Sequence, residues 1–220
     1  SGRGAILSLL AGRVCCPAVF PNPDSDAVLE RLEDYHGIYL SGISLAILEP
    51  LSLERLVARL ETLGSREIPI YFDCNLRPHL WPSKKAAQEA YARIFSMAST
   101  VLISREEGMP LLGCSKFKDI HHHLALSGVP ESVIRDGNGP CSIYHDGNIL
   151  EVPAKAGATV VDTTAAGDSF SAAYLAARIF GCTPKAAAQK AHCLAASVIG
   201  CKGAVAPASA MPFQKGFLEG

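Results

Sequence analysis

From His36 onward, short β-branched and aromatic runs alternate with segments whose apolar residues have helical spacing. The first run is GIYLSG; in the following segment, LSLERLVARLETLG, apolar residues recur every three or four positions, and Gly64 is predicted to cap the helix. This alternation predicts an α/β fold in which helices cover a largely parallel sheet. Ligands bind such sheets at the carboxyl ends of the strands, where the buried run IPIYFDCN ends in polar residues.

Local signals mark the ends of further elements. Ser83 is predicted to cap a helix that runs to about Met97, and Thr183 with Pro184 is predicted to start another. The runs SVIRD, CSIYHD and NILEVP are separated by the turn signals DGNGP and DGN. They predict antiparallel hairpins appended to the sheet.

Composition and charge exclude several classes of protein. With 49% hydrophobic residues the chain can bury a substantial core, which excludes a disordered protein. Its 20 Lys and Arg residues are balanced by 21 Asp and Glu residues, so neither nucleic acid nor a membrane is predicted as a partner. The eight cysteines form no CxxC pair and no regular framework, which indicates reduced thiols in a cytoplasmic protein. No stretch reaches the roughly 18 apolar residues of a membrane span.

Two other kinds of chemistry are disfavoured by spacing. No GxGxxG follows a predicted strand, as it would in a NAD-binding dehydrogenase. His121, His122 and His123 are adjacent. Because neighbouring residues on a helix point about 100° apart, the three histidines are not predicted to converge on one metal.

The strongest local signal for function is the run VDTTAAGDSF, in which small residues lead directly into a long helix. Small side chains let a ligand approach the backbone closely. The N–H groups of Ala165, Ala166, Gly167 and Asp168 are therefore predicted to point at one spot and form an anion hole at the positive end of the helix dipole. An acidic residue in the first turn is also ordinary helix stabilisation, so the residues alone leave Asp168 with that structural alternative.

This run resembles the C-terminal signature of the ribokinase-like (PfkB) sugar kinases, D-T-x-[AG]-A-G-D-x-F. The resemblance implies an ATP- and Mg²⁺-dependent kinase with a Rossmann-like, three-layer αβα fold. In that family the last Asp of the motif takes the proton from the hydroxyl that attacks the γ-phosphate, which would make Asp168 the catalytic base and a substrate-binding residue. It further implies that Asp162 and Thr164 help to bind a monovalent cation such as K⁺.

Two more segments, IYLSGISLAILEP and YFDCNLRPHLWPSK, resemble the family members that phosphorylate the sugar acid 2-keto-3-deoxygluconate. In this context Arg77 is expected to bind nucleotide phosphates or the substrate carboxylate, and Asn75 to order the loop or a water on Mg²⁺. Taken alone, an arginine at this position is more often a solvated loop residue than a ligand-binding one. Two alternative functions stay open: another ribokinase-like sugar kinase, such as a fructokinase or a ribokinase, and a nucleotide-binding but inactive fragment.

The same resemblance implies further nucleotide-site residues. The family carries an N-x-x-E element after the next strand; here Ser104 replaces the Asn, and Glu107 matches the Glu that acts on Mg²⁺ through water. Ser104 and Glu107 also match a capping box, which is an equally natural interpretation. The resemblance also implies that Arg135, Gly137 and Gly139 in VIRDGNGP contact the nucleotide, and that Gly203 and Ala204 lie near the adenine. The structural alternative is a hairpin turn for the first three residues and a helix C-cap for the last two.

The resemblance begins near Pro21. Residues 1–20 do not match the family and are interpreted as an atypical N-terminal segment, which translation in a shifted reading frame would explain; residues 21–220 are interpreted as the C-terminal portion of the kinase domain. Family members also carry first strands, a β-lid and a G-G-x-x-x-N sugar-binding element that this sequence lacks. We therefore expect an incomplete fold with exposed sheet edges, which favour association into homo-oligomers.

Overall fold

The computed structural model describes residues 6–8, 24–65, 67–157 and 159–212. The chain forms two compact units, residues 1–133 and 134–220. Within the described ranges, every helix is too short or too polar to cross a lipid bilayer.

The first unit contains parallel strands in chain order. They are β1 (Ile6–Ser8), β2 (Gly37–Ser41), β3 (Ile70–Asp73) and β4 (Thr100–Ser104). Ser41 is aligned with Asp73, and Asp73 with Leu102, so the carboxyl ends of β2, β3 and β4 share one edge. The sequence predicted these three strands but missed β1. The rest of residues 1–20 lies outside the described residues, so the proposed frame shift stays a prediction.

Helices follow the strands as the periodicity predicted. They are α1 (Asp24–Glu30), α2 (Gly42–Ala46), α3 (Pro50–Gly64), α4 (Lys84–Phe95), α5 (Arg105–Leu112) and α6 (Phe117–Leu126), with 3₁₀ turns at Arg31–Asp34 and Pro78–Leu80. The Ser83 hydroxyl caps α4 by accepting the N–H of Ala86, as predicted. The prediction that Gly64 caps α3 was wrong by one residue: the cap is Ser65 in right-handed conformation, so no glycine is needed there.

Aromatic side chains fill the core of the first unit around Tyr91, which is fully buried. Its ring meets Phe72 of β3 edge to face, with centroids 5.3 Å apart. Trp81 packs edge to face on the same ring at 5.8 Å. Trp81 thus anchors the segment after Arg77.

His121 of α6 is also buried in the first unit. It is 1% exposed, and its Nδ1 lies 2.7 Å from the hydroxyl of Ser132, whereas His122 and His123 are exposed. Burial lowers the pKa of His121 to about 4, so the ring is neutral near pH 7. Among the described residues, no group of three or more His, Cys, Asp or Glu side chains could hold a metal ion.

β5 (Glu131–Arg135) leads into the second unit, which contains a hairpin and two long helices. These are β6 (Cys141–His145), β7 (Asn148–Val152), α7 (Ala166–Ile179) and α8 (Pro184–Ile199). β6 and β7 pair antiparallel through a turn at Asp146 and Gly147, which both have positive φ, so of the predicted hairpins the one between CSIYHD and NILEVP is confirmed. α7 packs on α8, with Phe170 edge to face on His192 at 5.1 Å. Thr183 caps α8 as predicted.

Candidate active site

The N-terminus of α7 in the second unit is entered through a left-handed residue. Ala165 has φ 61° and ψ 11°, a conformation that is uncommon for a residue with a Cβ. The first helical hydrogen bond runs from Ser169 N to Ala165 O at 2.8 Å. The N–H groups of Gly167 and Asp168 therefore precede the helical ladder, and the N-cap residue Ala165 makes no side-chain hydrogen bond to the helix.

Ala166 departs from the predicted anion hole. Its N–H donates to the carbonyl oxygen of Thr163 at 3.2 Å, because the left-handed Ala165 folds the preceding chain back into a turn. Of the four N–H groups expected to converge, this one is engaged within the loop. The structure leaves Ala165, Gly167 and Asp168 as candidates, and the Asp168 side chain is exposed.

Asp162 fastens the loop that precedes α7. Its Oδ1 accepts the backbone N–H of Thr164, and its Oδ2 accepts that of Gly203, both at 2.9 Å. Hydrogen bonding from Thr164 is the largest effect that lowers the pKa of Asp162, and the Gly203 N–H adds to it. The N–H groups of Val161 and Asp162 bond to the carbonyl of Ile199, at the end of α8. Three of the residues implied by the resemblance, Asp162, Thr164 and Gly203, are thus brought together; Ala204 lies beside them and is exposed.

Arg135 lies at the end of β5, where its side chain bonds to α7. One nitrogen, Nη1, donates to the carbonyl of Gly167 and to the hydroxyl of Ser171, both at 2.9 Å. In the turn after β5, Gly137 has φ 54°, and the N–H of Gly139 donates to Asp136 O at 2.7 Å. The two glycines thus shape a tight turn, and their predicted contact with nucleotide stays a prediction.

The loop after β3, residues 74–77, carries the candidate residues of the first unit. Three hydrogen bonds fix it: Cys74 N to Leu102 O at 2.8 Å, Tyr91 Oη to Cys74 O at 2.6 Å, and Leu76 N to Oε1 of Glu107 at 2.5 Å. Oε2 of Glu107 accepts the N–H of Ser104 at 2.6 Å, as in the predicted capping box. A single carboxylate therefore clamps the loops after β3 and β4.

Asn75 and Arg77 protrude from this clamped loop. Asn75 has φ 35°, so the chain turns sharply at the end of the strand. Arg77 is exposed and makes one long hydrogen bond, from Nη1 to Leu76 O at 3.4 Å. Among the residues that the structure describes, no carboxylate forms an ion pair with Arg77. Its guanidinium is therefore available to an anionic ligand.

Sequence reasoning missed Gly42 and Tyr91, which pack against this loop and fix its position. Gly42 follows β2, and a Cβ there would overlap the Tyr91 hydroxyl and the carbonyl oxygen of Cys74. The phenol of Tyr91 has its pKa raised, chiefly by burial, so it stays a hydrogen-bond donor. The only signal was the Gly of LSGIS, whose importance depends on residues 32 and 49 positions away.

A family model described as pfkB family carbohydrate kinase matches residues 18–211. The chain belongs to the PfkB family of carbohydrate kinases. The 2-dehydro-3-deoxygluconokinase of Escherichia coli K12 is 38% identical over 191 residues, which cover 86% of this chain and 62% of the relative. This PfkB chain therefore spans less than two thirds of that relative's length.

Solved PfkB-type structures share the fold. Aminoimidazole riboside kinase of Salmonella enterica, crystallised with aminoimidazole riboside and an ATP analogue, has a TM-score of 0.66 at 27% identity, covering 76% of this chain and 57% of that one. A ribokinase II of E. coli, crystallised with ATP and Mg²⁺, has a TM-score of 0.69 at 22% identity, covering 80% and 55%. The predicted ribokinase-like α/β fold is confirmed.

Proposed function

We propose that this chain carries the phosphotransfer residues of a 2-keto-3-deoxygluconate kinase, which transfers the γ-phosphate of ATP to a hydroxyl of the sugar acid. The observation that carries the proposal is the start of α7. There an exposed Asp168 lies in the first turn of a helix whose N-cap residue, the left-handed Ala165, makes no side-chain hydrogen bond to it. The 38% identity to a 2-dehydro-3-deoxygluconokinase supports the choice of substrate.

In this mechanism Asp168 orients the acceptor hydroxyl and takes its proton late in the transfer, because a loose phosphoryl-transfer transition state needs little early deprotonation. The N–H groups at positions 167 and 168 would stabilise the charge on the phosphoryl oxygens. Both groups precede the helical ladder, so they are oriented before the substrate arrives.

Arg77 suits an anionic ligand. Its guanidinium is exposed, and the loop that carries it is clamped by Glu107 and Tyr91. A fixed planar donor of this kind binds a carboxylate or a phosphate with two parallel hydrogen bonds. We propose that Arg77 holds either the nucleotide phosphates or the carboxylate of the sugar acid, while Asn75 orders the same loop.

The donor set at Glu107 fits Mg²⁺ through water rather than directly. Each carboxylate oxygen accepts one backbone N–H and keeps a second lone pair. Mg²⁺, when bound with ATP, neutralises charge on the phosphates. The Asp162 carboxylate accepts three hydrogen bonds, from the backbone and side chain of Thr164 and from the backbone of Gly203, and so keeps one lone pair for a monovalent cation beside the Thr164 hydroxyl.

The test is an assay of ADP release with MgATP and 2-keto-3-deoxygluconate. It is run on this chain and on the same chain completed with the part of the E. coli relative that it does not match. We expect ADP release that depends on the sugar acid and is much slower with fructose, ribose or gluconate. A preference for fructose or ribose would favour another ribokinase-like sugar kinase and reject the proposed substrate.

A second candidate is a nucleotide-binding chain without turnover. It is favoured by one observation: the chain spans 62% of the length of its relative. Under this alternative, calorimetry detects MgATP binding to the chain, but ADP release appears only in the completed protein. Turnover by the chain itself would reject it.

A further inference from the structure

Arg135 spans the first turn of α7 from one side. Its Nη1 bonds to the carbonyl of Gly167 and to the hydroxyl of Ser171, at 2.9 Å each. These residues are four apart and so lie on the same face of the helix. The guanidinium therefore lies alongside the turn that contains Asp168, while the side chain of Ser171 is fully buried.

The carbonyl of Gly167 and the N–H of Asp168 belong to the same peptide group. Because a trans peptide is planar, its C=O and N–H point in opposite directions. A hydrogen bond that fixes the Gly167 carbonyl therefore also fixes the direction of the Asp168 N–H. That N–H is one of the two groups that precede the helical ladder.

Arg135 places a positive charge beside the N-terminus of α7. A cation beside a helix N-terminus opposes the helix dipole, whose positive end is already there. In the structure two charge-assisted hydrogen bonds offset this repulsion. The arrangement becomes favourable when a ligand anion lies at the N-terminus, since both the dipole and the guanidinium then attract it.

We propose that Arg135 is a positioning residue for phosphotransfer: it acts through the Gly167 carbonyl to aim the Asp168 N–H, instead of contacting the nucleotide. The inference rests on the proposed function, in which that N–H stabilises the transferred phosphoryl group. It also explains the glycine at position 167, because a Cβ there would lie 3.0 Å from Nη1 of Arg135. A larger residue would displace the guanidinium.

The geometry distinguishes Lys from an uncharged side chain at position 135. One nitrogen makes both hydrogen bonds, so a lysine ammonium can replace it, whereas Met has similar length but neither charge nor donor. The comparison therefore uses the full chain as wild type, Arg135→Lys, Arg135→Met and Ser171→Ala. Ser171→Ala is the matched control, because it removes one acceptor of Nη1 and leaves the bond to Gly167.

The readout is the ratio of the MgATP and MgADP affinities, measured by calorimetry well below the lowest melting temperature. ADP lacks the γ-phosphate, so an Asp168 N–H that points in the wrong direction weakens the binding of ATP alone. We expect Arg135→Met to lose about tenfold in MgATP affinity, with MgADP affinity changed by less than about threefold. Arg135→Lys and Ser171→Ala should each stay within about threefold of wild type for both nucleotides. Equal losses for ATP and ADP would mean direct nucleotide contact and would overturn the proposal, as would a lower melting temperature with an unchanged ratio.

A crystal structure of unliganded Arg135→Met supplies a test that needs no nucleotide. We expect the peptide between Gly167 and Asp168 to rotate or the first turn of α7 to unwind. An unchanged peptide plane would reject the inference, whatever the chain binds. Failure of the proposed function is visible separately, as absence of sugar-acid-dependent ADP release by the wild-type and completed proteins.

Discussion

The Oδ2 atom of Asp162 accepts a hydrogen bond of 2.9 Å from the backbone N–H of Gly203, 41 residues further along the chain. Between the two residues lie α7 and α8. The carboxylate thus joins the beginning and the end of the helical pair, and hydrogen bonding lowers its pKa, which favours the charged form. The loop that enters α7 depends on this link.

We expect Asp162→Asn to speed hydrogen exchange in the segment around Gly203. Asn keeps one carbonyl acceptor but presents an NH₂ group where the second backbone N–H must be accepted, so one hydrogen bond is lost. Peptide-level exchange at pH 7 should rise about tenfold for residues 201–207. The control is Asp119→Asn, an exposed carboxylate on α6, which should leave that segment unchanged. Equal exchange in both variants would contradict the role of Asp162.

Replacing Asp168 with Asn should lower kcat by roughly 10² to 10⁴, the usual contribution of a positioned acid or base. The amide has nearly the same shape but cannot take a proton. MgATP affinity should change by less than about threefold, because the backbone N–H groups remain. The prediction is checked by measuring the initial rate of ADP release, with this chain or with the completed protein, whichever shows turnover. Near-normal turnover in the folded variant would rule out Asp168 as the base.

We expect Glu107→Gln to destabilise the first unit by about 2 kcal/mol, since both oxygens of Glu107 accept backbone N–H groups and Gln can accept only one. Urea unfolding monitored by the fluorescence of Trp81 measures the change. The neighbouring Glu106 is exposed, and Glu106→Gln should alter stability by less than about 0.5 kcal/mol. Indistinguishable variants would show that the clamp contributes little.

Several ends of elements were predictable because their signals are local. Ser83 and Thr183 act as caps through hydroxyls that reach backbone three residues ahead, and Gly113 ends α5 with a positive φ. The sequence at these places contains both partners of each contact. The same is true of Glu107 and Ser104, which the capping-box pattern contained.

Other parts of the candidate site could not be predicted, because their partners are distant in sequence. Nothing near Glu107 indicates that its second oxygen bonds to Leu76, 31 residues earlier. The left-handed conformation of Ala165 carries no sequence signal, since alanine normally avoids it, and it determines which N–H groups are available. Likewise, Arg135 was predicted to contact nucleotide, whereas its hydrogen bonds to α7 depend on tertiary packing.

Stability should fall as the pH drops from about 6.5 to about 4. His121 has a folded-state pKa of about 4, lowered by burial from its ordinary 6.5. In this window the unfolded state binds a proton at His121 that the folded state excludes. The contribution of His121 to the free energy of unfolding is therefore full above pH 6.5 and is lost on acidification. Over the whole window it amounts to roughly 3 kcal/mol.

Thermal unfolding at several pH values tests this assignment. His121→Gln should flatten the pH dependence between pH 4 and 6.5, whereas His122→Gln, at an exposed position of the same helix, should retain it. His192 of α8 also has a pKa lowered by burial and contributes in the same direction. An unchanged slope in His121→Gln would assign the effect to His192 or to the carboxylates.

Gly42 is needed for space, because any side chain there would overlap Tyr91 and Cys74, and its loss would resemble the loss of a catalytic residue. In a library scored only by growth or product, substitutions at Gly42 would be grouped with substitutions of the proposed base Asp168, although Gly42 is buried and acts through its packing against Tyr91 and Cys74. A side chain there would push the Tyr91 hydroxyl away from the Cys74 carbonyl and so shift the loop that carries Asn75. Only abundance measured alongside activity would separate a glycine needed for space from an aspartate needed for chemistry.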